Sequence, residues 1–141
     1  MKNAFQILIV CLLSFSLSCS NKNRSDYLVK IDYLNQDSRI EKDLRNGVVA
    51  LDFKDYFSDD SLKIRVNNQS FLNTIISTSE ISGGALLVEI DSLKKLYDIS
   101  IQLNSGTVTN LKLDKDNQLF VVRYHDDTLN IKSVTVFVAN R

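Results

Sequence analysis

From Tyr27 onward, apolar and polar residues alternate with a period of two, the signature of strands with one buried face. In YLVKIDY, Tyr27, Val29, Ile31 and Tyr33 share a face, and Lys30 and Asp32 take the other. Val49, Leu51 and Phe53 repeat the pattern. Leu62, Ile64 and Val66 then alternate with Lys63 and Arg65. Leu86, Val88 and Ile90 follow, and Ile99, Ile101 and Leu103 alternate with Asp98, Ser100 and Gln102. Further strands are predicted at Phe71–Ser77, Thr107–Leu113, Leu119–Tyr124 and Leu129–Val138. The expected core contains Leu62, Ile64, Val66, Leu86, Val88, Ile90, Ile99 and Ile101, with Lys63, Arg65, Asp98 and Gln102 facing water. In the last strand the apolar phase slips from odd (Leu129, Ile131) to even (Val134, Val136, Val138). One extra residue at Lys132–Ser133, a bulge, would reconcile the halves.

Turn chemistry punctuates these runs at roughly the 8–12-residue spacing of a sandwich or barrel. The signals are Ser58-Asp59-Asp60-Ser61, Asn67-Asn68, Ser82-Gly83-Gly84, Asn104-Ser105-Gly106, Asp114–Asn117 and Asp126-Asp127. One short helix is predicted where Ser38-Arg39-Ile40-Glu41 fits a capping box and Asn46-Gly47 provides a stop. Eight or nine short strands with little helix predict an all-β fold, an antiparallel β-sandwich. The run LKIRVNNQSFLNTIIS (62–77) resembles the strand–turn–strand opening of immunoglobulin-like or transthyretin-like domains. That resemblance implies an architecture and no function.

The N-terminus follows a different pattern. Lys2 precedes a mainly apolar run, Phe5 to Leu17 (FQILIVCLLSFSL), then Ser18 and Cys19, and the polar stretch SNKNRSD begins at once. A bilayer-spanning helix needs about 20 apolar residues, so this run predicts a secretory signal. The segment Phe15-Ser16-Leu17-Ser18-Cys19 resembles the lipobox of bacterial lipoproteins. The resemblance implies that Cys19 carries a diacylglyceryl thioether and becomes the first residue of the mature chain. The expected organisation is a signal peptide over 1–18, a lipidated tether over 19–26 and one β-sandwich domain over 27–141. The Asn/Lys/Ile-rich composition resembles that of Bacteroidota lipoproteins, in which acidic residues after the cysteine accompany export to the outer surface. Here the tether carries Lys22 and Arg24 and no acidic cluster. The implied location is the bacterial cell envelope, lipid-anchored to the outer membrane and facing the periplasm.

Charge and cysteine content narrow the partners. Without Lys2, 16 of the 17 basic residues face 17 acidic ones, a net charge of −1. No cationic excess points to nucleic acid, and none would hold the domain on a membrane electrostatically. Attachment therefore falls to the lipid, at about 0.8 kcal/mol per buried CH₂. Of the two cysteines, Cys11 lies in the signal segment and Cys19 is the lipidation site, so the domain folds without a disulfide.

Candidate chemistry is sparse. His125, the only histidine, precedes Asp126-Asp127 at a strand end. No nucleophile elbow of the G-x-S-x-G type accompanies it, so catalysis is not expected. Structural zinc requires several Cys or His ligands, which the domain does not supply. Asp114-Lys115-Asp116-Asn117-Gln118 offers clustered oxygens, but the EF-hand pattern fails at Leu119 and Arg123, and the turn reading is preferred. Gly83-Gly84 lacks the Lys-Ser/Thr of a phosphate loop. No cofactor or metal is expected. Tyr56 and Phe57, within FKDYFSDD, are the candidate binding surface: two aromatics in a loop with Asp55, Asp59 and Asp60 as a polar rim. The alternative for the same pair is to cap the core. The functional expectation is a non-catalytic binding or accessory module for a protein or glycan. A structural subunit of an envelope assembly is the second reading, and an enzyme the weakest.

Overall fold

The computed structural model describes residues 26–33, 48–91, 98–113 and 119–134. The signal segment, Cys19, the helix expected at Ser38, the Asp114–Asn117 turn and the chain beyond Val134 lie outside the described residues. Among the described residues nine strands form: β1 (Leu28–Tyr33), β2 (Val48–Lys54), β3 (Asp60–Val66), β4 (Gln69–Ile76), β5 (Gly84–Asp91), β6 (Ile99–Leu103), β7 (Thr109–Leu111), β8 (Leu119–His125) and β9 (Thr128–Val134). Each coincides with one of the alternating runs. They assemble into a five-stranded sheet, ordered β1-β9-β8-β2-β5, and a four-stranded sheet, ordered β4-β3-β6-β7. The two pack face to face as a β-sandwich. Most pairs are antiparallel, but β1 runs parallel to β9 and β2 parallel to β8. Alternation cannot distinguish these directions, because either pairing buries every second residue.

The shared interior takes one parity from each strand. Val49, Leu51 and Phe53 of β2 lie beside Ile90, Val88 and Leu86 of β5, and Leu51 and Phe53 lie beside Phe120 and Val122 of β8. Leu62 and Ile64 of β3, paired with Leu103 and Ile101 of β6, belong to the same core. Lys63 and Arg65 point outward as expected, while Val66, Leu86, Asp98 and Gln102 are only half-buried at the core margin. Two hairpins close on two-residue turns, Asn67-Asn68 between β3 and β4 and Asp126-Asp127 between β8 and β9. All four turn residues have positive φ, between 48° and 62°. That is the conformation of a type I′ turn, which Asn and Asp tolerate better than other side chains and which matches the twist of the flanking strands.

The bulge expected at Lys132–Ser133 is not formed. β9 pairs with β8 in unbroken register from Thr128 to Val134, and with β1 from Thr128 to Ser133. The phase slip has a different cause: both faces of the sheet are buried at this point. Ser133 continues the inward parity and is fully buried, while Val134 lies on the opposite face beside Leu119. Leu119 in turn packs with Ala50 and Val121 in a second, smaller apolar cluster. The one irregularity of the β3–β4 hairpin is elsewhere, where Ile64 pairs with Leu72 and Arg65 with Ser70, leaving Phe71 as the extra residue.

Tyr27, just before β1, joins the two sheets. Its hydroxyl accepts from the Leu103 amide at 3.2 Å and reaches the carbonyls of Thr107 (3.2 Å) and Leu103 (3.3 Å). Its ring meets Tyr124 edge to face at 6.1 Å. Burial pushes the phenol above its ordinary value of 10.0, an effect the Leu103 backbone bond partly offsets.

Two measurements test this packing. Ile64→Ala, at a site with no solvent exposure, should cost roughly 2–5 kcal/mol in a denaturant titration. For Tyr27, a folded pKa raised above the unfolded one means that the unfolded chain loses its proton first as pH rises. The phenol's contribution is therefore complete below pH 10 and is lost as pH climbs through the raised value. Tyr27→Phe should cost about 0.5–1.5 kcal/mol at neutral pH and should flatten the alkaline fall in stability.

Candidate functional site

The β2–β3 connection carries the two aromatics singled out by sequence, and the fold sends them in opposite directions. Phe57 turns inward and is 3% exposed. Its ring meets Phe53 edge to face at 6.0 Å and stacks on Tyr124 at 6.3 Å. Phe57 is therefore a core residue and not part of a contact surface, because its ring is already spent on burial. Tyr56 is 64% exposed and lies against the imidazole of His125, the ring centres 4.8 Å apart.

The loop achieves this split at a backbone cost. Asp55 and Tyr56 both have left-handed φ, 62° and 61°, and Asp59 follows at 52°. A non-glycine residue held there costs on the order of 1–3 kcal/mol, most for a bulky side chain, and persists only where its surroundings enforce it. Here they do so through several hydrogen bonds. The Asp55 amide donates to the Gly83 carbonyl at 3.1 Å, and Gly83 itself takes a φ of 66°, which glycine accepts without strain. Phe57 and Thr78 form a two-bond clamp: the Phe57 amide donates to Thr78 Oγ1, and the Thr78 amide to the Phe57 carbonyl, both at 2.9 Å. The Asp59 amide donates to Ser77 Oγ at 2.8 Å, and that hydroxyl donates to Asp59 Oδ1 at 2.9 Å.

Asp60 anchors the end of the loop. Its carboxylate is buried, accepting from the Ser58 amide and from Asn104 Nδ2, each at 2.9 Å. Asn104 completes the contact by accepting from the Ser61 amide at 2.9 Å. The Asp59-Asp60 pair is thus structural: one carboxylate binds a serine of the adjoining strand end, and the other is buried in a hydrogen-bonded network.

Around Tyr56 the outer face of the five-stranded sheet supplies polar groups. Arg123 and His125 share a parity on β8. Arg123 Nε lies 3.2 Å from Asp55 Oδ2, and His125 Nδ1 lies 2.8 Å from Asp126 Oδ2. Lys54 Nζ lies 3.4 Å from the largely buried carboxylate of Asp52. The result is an exposed aromatic ring with a guanidinium, an imidazole and two carboxylates close by. Such a surface can stack on a flat apolar face and hydrogen-bond around its edge. Among the described residues, two further hollows are open to solvent. One of about 480 Å³ is lined by Asp26, Tyr27, Leu28, Thr107, Asp126 and Asp127. The other, of about 380 Å³, lies beside the β3–β4 turn between Phe71 and Ile90.

Among the described residues, no three His, Cys, Asp or Glu side chains are gathered as metal ligands would be. No helix among them is long and apolar enough to cross a membrane. The chain matches no family model, no curated protein and no solved structure. The site therefore rests on its own geometry. Sequence located the loop but missed Arg123 and His125 as its companions, since only the β2–β8 pairing brings positions so far apart together.

The two aromatics should separate cleanly on substitution. Phe57→Ala should cost about 3–5 kcal/mol and lower the melting temperature sharply. Tyr56→Ala removes an exposed ring from a strained position and should leave the melting temperature within a few degrees of wild type. A thermal melt of each single variant checks both.

Proposed function

We propose that this chain is a lipid-anchored lipoprotein of the bacterial envelope whose β-sandwich is a non-catalytic binding or accessory module for a protein or glycan. The address rests on the FSLSC segment that ends the apolar run at Cys19. The binding role rests on one observation, the exposed Tyr56 ring presented by a strained, multiply bonded loop beside His125 and Arg123. The kink that delivers Phe57 to the core also holds Tyr56 outward, and the hydrogen bonds around it pre-organise that ring for a contact. The non-catalytic reading rests on the sequence, which gives His125 no G-x-S-x-G nucleophile elbow as a companion. A second reading, a structural subunit of an envelope assembly, is favoured by the uncharged edge of β4.

Capture from envelope extract, with the wild-type domain and Tyr56→Ala as bait, tests the binding role. Loss of a retained glycan or protein on substitution supports the reading, and retention unaffected by Tyr56→Ala refutes the role of this surface. The anchor is tested separately by detergent-phase partition. Cys19→Ala should leave the domain folded but move it from the detergent to the aqueous phase. Equal partition of both forms would show that another segment holds the protein to the membrane.

A further inference from the structure

Among the described residues four strands end the two sheets, and three of them carry charges or are short, which protects against edge pairing. β1 has Lys30 and Asp32, β5 has Glu89 and Asp91, and β7 is three residues long. β4 has neither charges nor shortness, and its single irregularity is the bulge at Phe71. Its eight residues, QSFLNTII, include no charge and no proline, and Phe71 and Ile75 are exposed at 49% and 61%. An uncharged edge strand of this length with exposed apolar side chains is a template for another strand.

The pattern along β4 is also self-complementary. Phe71, Asn73 and Ile75 all face outward. An antiparallel pairing of two copies centred on Asn73 sets Phe71 of one opposite Ile75 of the other, twice, with the two Asn73 side chains meeting at the two-fold axis. Backbone parity agrees. Ser61 bonds toward the β6 side, its carbonyl accepting from the Asn104 amide and its own amide donating to the Asn104 side chain. Alternation along β3 then turns Leu62 and Ile64 toward β4, where they face Thr74 and Leu72. The remaining parity, Asn73 and Ile75, directs its backbone groups to the open edge. Two Asn73 residues across the axis can therefore exchange both N–H···O=C bonds. The bulge at Phe71 limits the ladder to about the Phe71–Ile75 stretch. No like charges oppose one another in this register, because β4 has none.

We propose that β4 is the pairing edge of a two-fold homodimer, in which the four-stranded sheets of two copies join through antiparallel β4 strands centred on Asn73. This inference is independent of the ligand reading at Tyr56, whose ring lies against His125 of β8 in the other sheet.

A crosslink in the full chain tests it. Asn73→Cys places two thiols across the axis at a separation a disulfide can span. Mild oxidation of envelope membranes should convert most of this variant to a disulfide-linked dimer of twice the chain mass. Wild type and Asn110→Cys on the short β7 edge are the controls and should form no disulfide-linked dimer. Ile75→Lys, at an exposed site, should keep the wild-type melting temperature but shift the detergent-solubilised protein from dimer to monomer in sedimentation. Three results would overturn the proposal: a monomeric mass for wild type at tens of micromolar, equal crosslinking through Asn73→Cys and Asn110→Cys, or an Asn73→Cys adduct containing a different protein.

Discussion

The structure depends on the burial of β2. Six of its seven residues are buried, and it lies between a parallel neighbour, β8, and an antiparallel one, β5. Its odd-numbered side chains, Val49, Leu51 and Phe53, fill the space between the sheets, and Ala50 contributes to a second cluster on the other face. A strand flanked by partners on both edges has every backbone group paired, so the cost of burying its peptides is met within the sheet. With no disulfide among its strands, the sandwich relies on this apolar contact and on polar clips at its rim. Tyr27 and the Asp60–Asn104 pair are two such clips. Tyr27 reaches across to Leu103 of the opposite sheet, and the Asp60 carboxylate is matched by two donors, so neither leaves a buried polar group unmet.

Most of the strand map was legible because the chain is regular where one face meets water. β3 shows this best: Lys63 and Arg65 alternate with Leu62 and Ile64, and the exposed and buried faces fall as the alternation requires. The Asn67-Asn68 and Asp126-Asp127 turns were legible for a local reason, since Asn and Asp tolerate the left-handed backbone that a two-residue hairpin imposes. The reading failed where that premise fails. At Ser133-Val134 both faces are buried, so consecutive residues can both be interior, and the implied bulge is not needed. Strand direction and sheet order were not legible at all. They depend on which strands meet across long loops, and a two-residue period carries no such information.

The site was half legible for a related reason. Composition identified Tyr56-Phe57 as notable, but adjacent residues in an extended segment and adjacent residues around a left-handed kink point differently. The kink at Asp55-Tyr56 decides that Phe57 goes to the core and Tyr56 to the surface. Nothing in the types of those residues announces it, since Tyr is a poor choice for positive φ. The enforcing partners lie far along the chain, in Gly83, Ser77, Thr78 and Arg123. Such a conflict between local preference and observed backbone marks a place to look for function, although here the same kink also delivers Phe57 to the core.

The two departures from ordinary β-sandwich practice, the strained Tyr56 loop and the uncharged β4 edge, share a mechanical connection. Ser77 and Thr78 directly follow the last residue of β4, and these two residues clamp Asp59 and Phe57. Whatever fixes β4 along its open edge also fixes the start of the segment that holds the loop. Pairing there reduces fraying of the strand end, and with it the freedom of the clamp. The exposed ring lies on the five-stranded sheet, so a strand added to β4 leaves Tyr56 accessible. In this geometry the edge and the aromatic surface are compatible: one joins copies, the other faces outward from each, and two Tyr56 sites in a single particle would raise avidity for a repetitive target without any new contact.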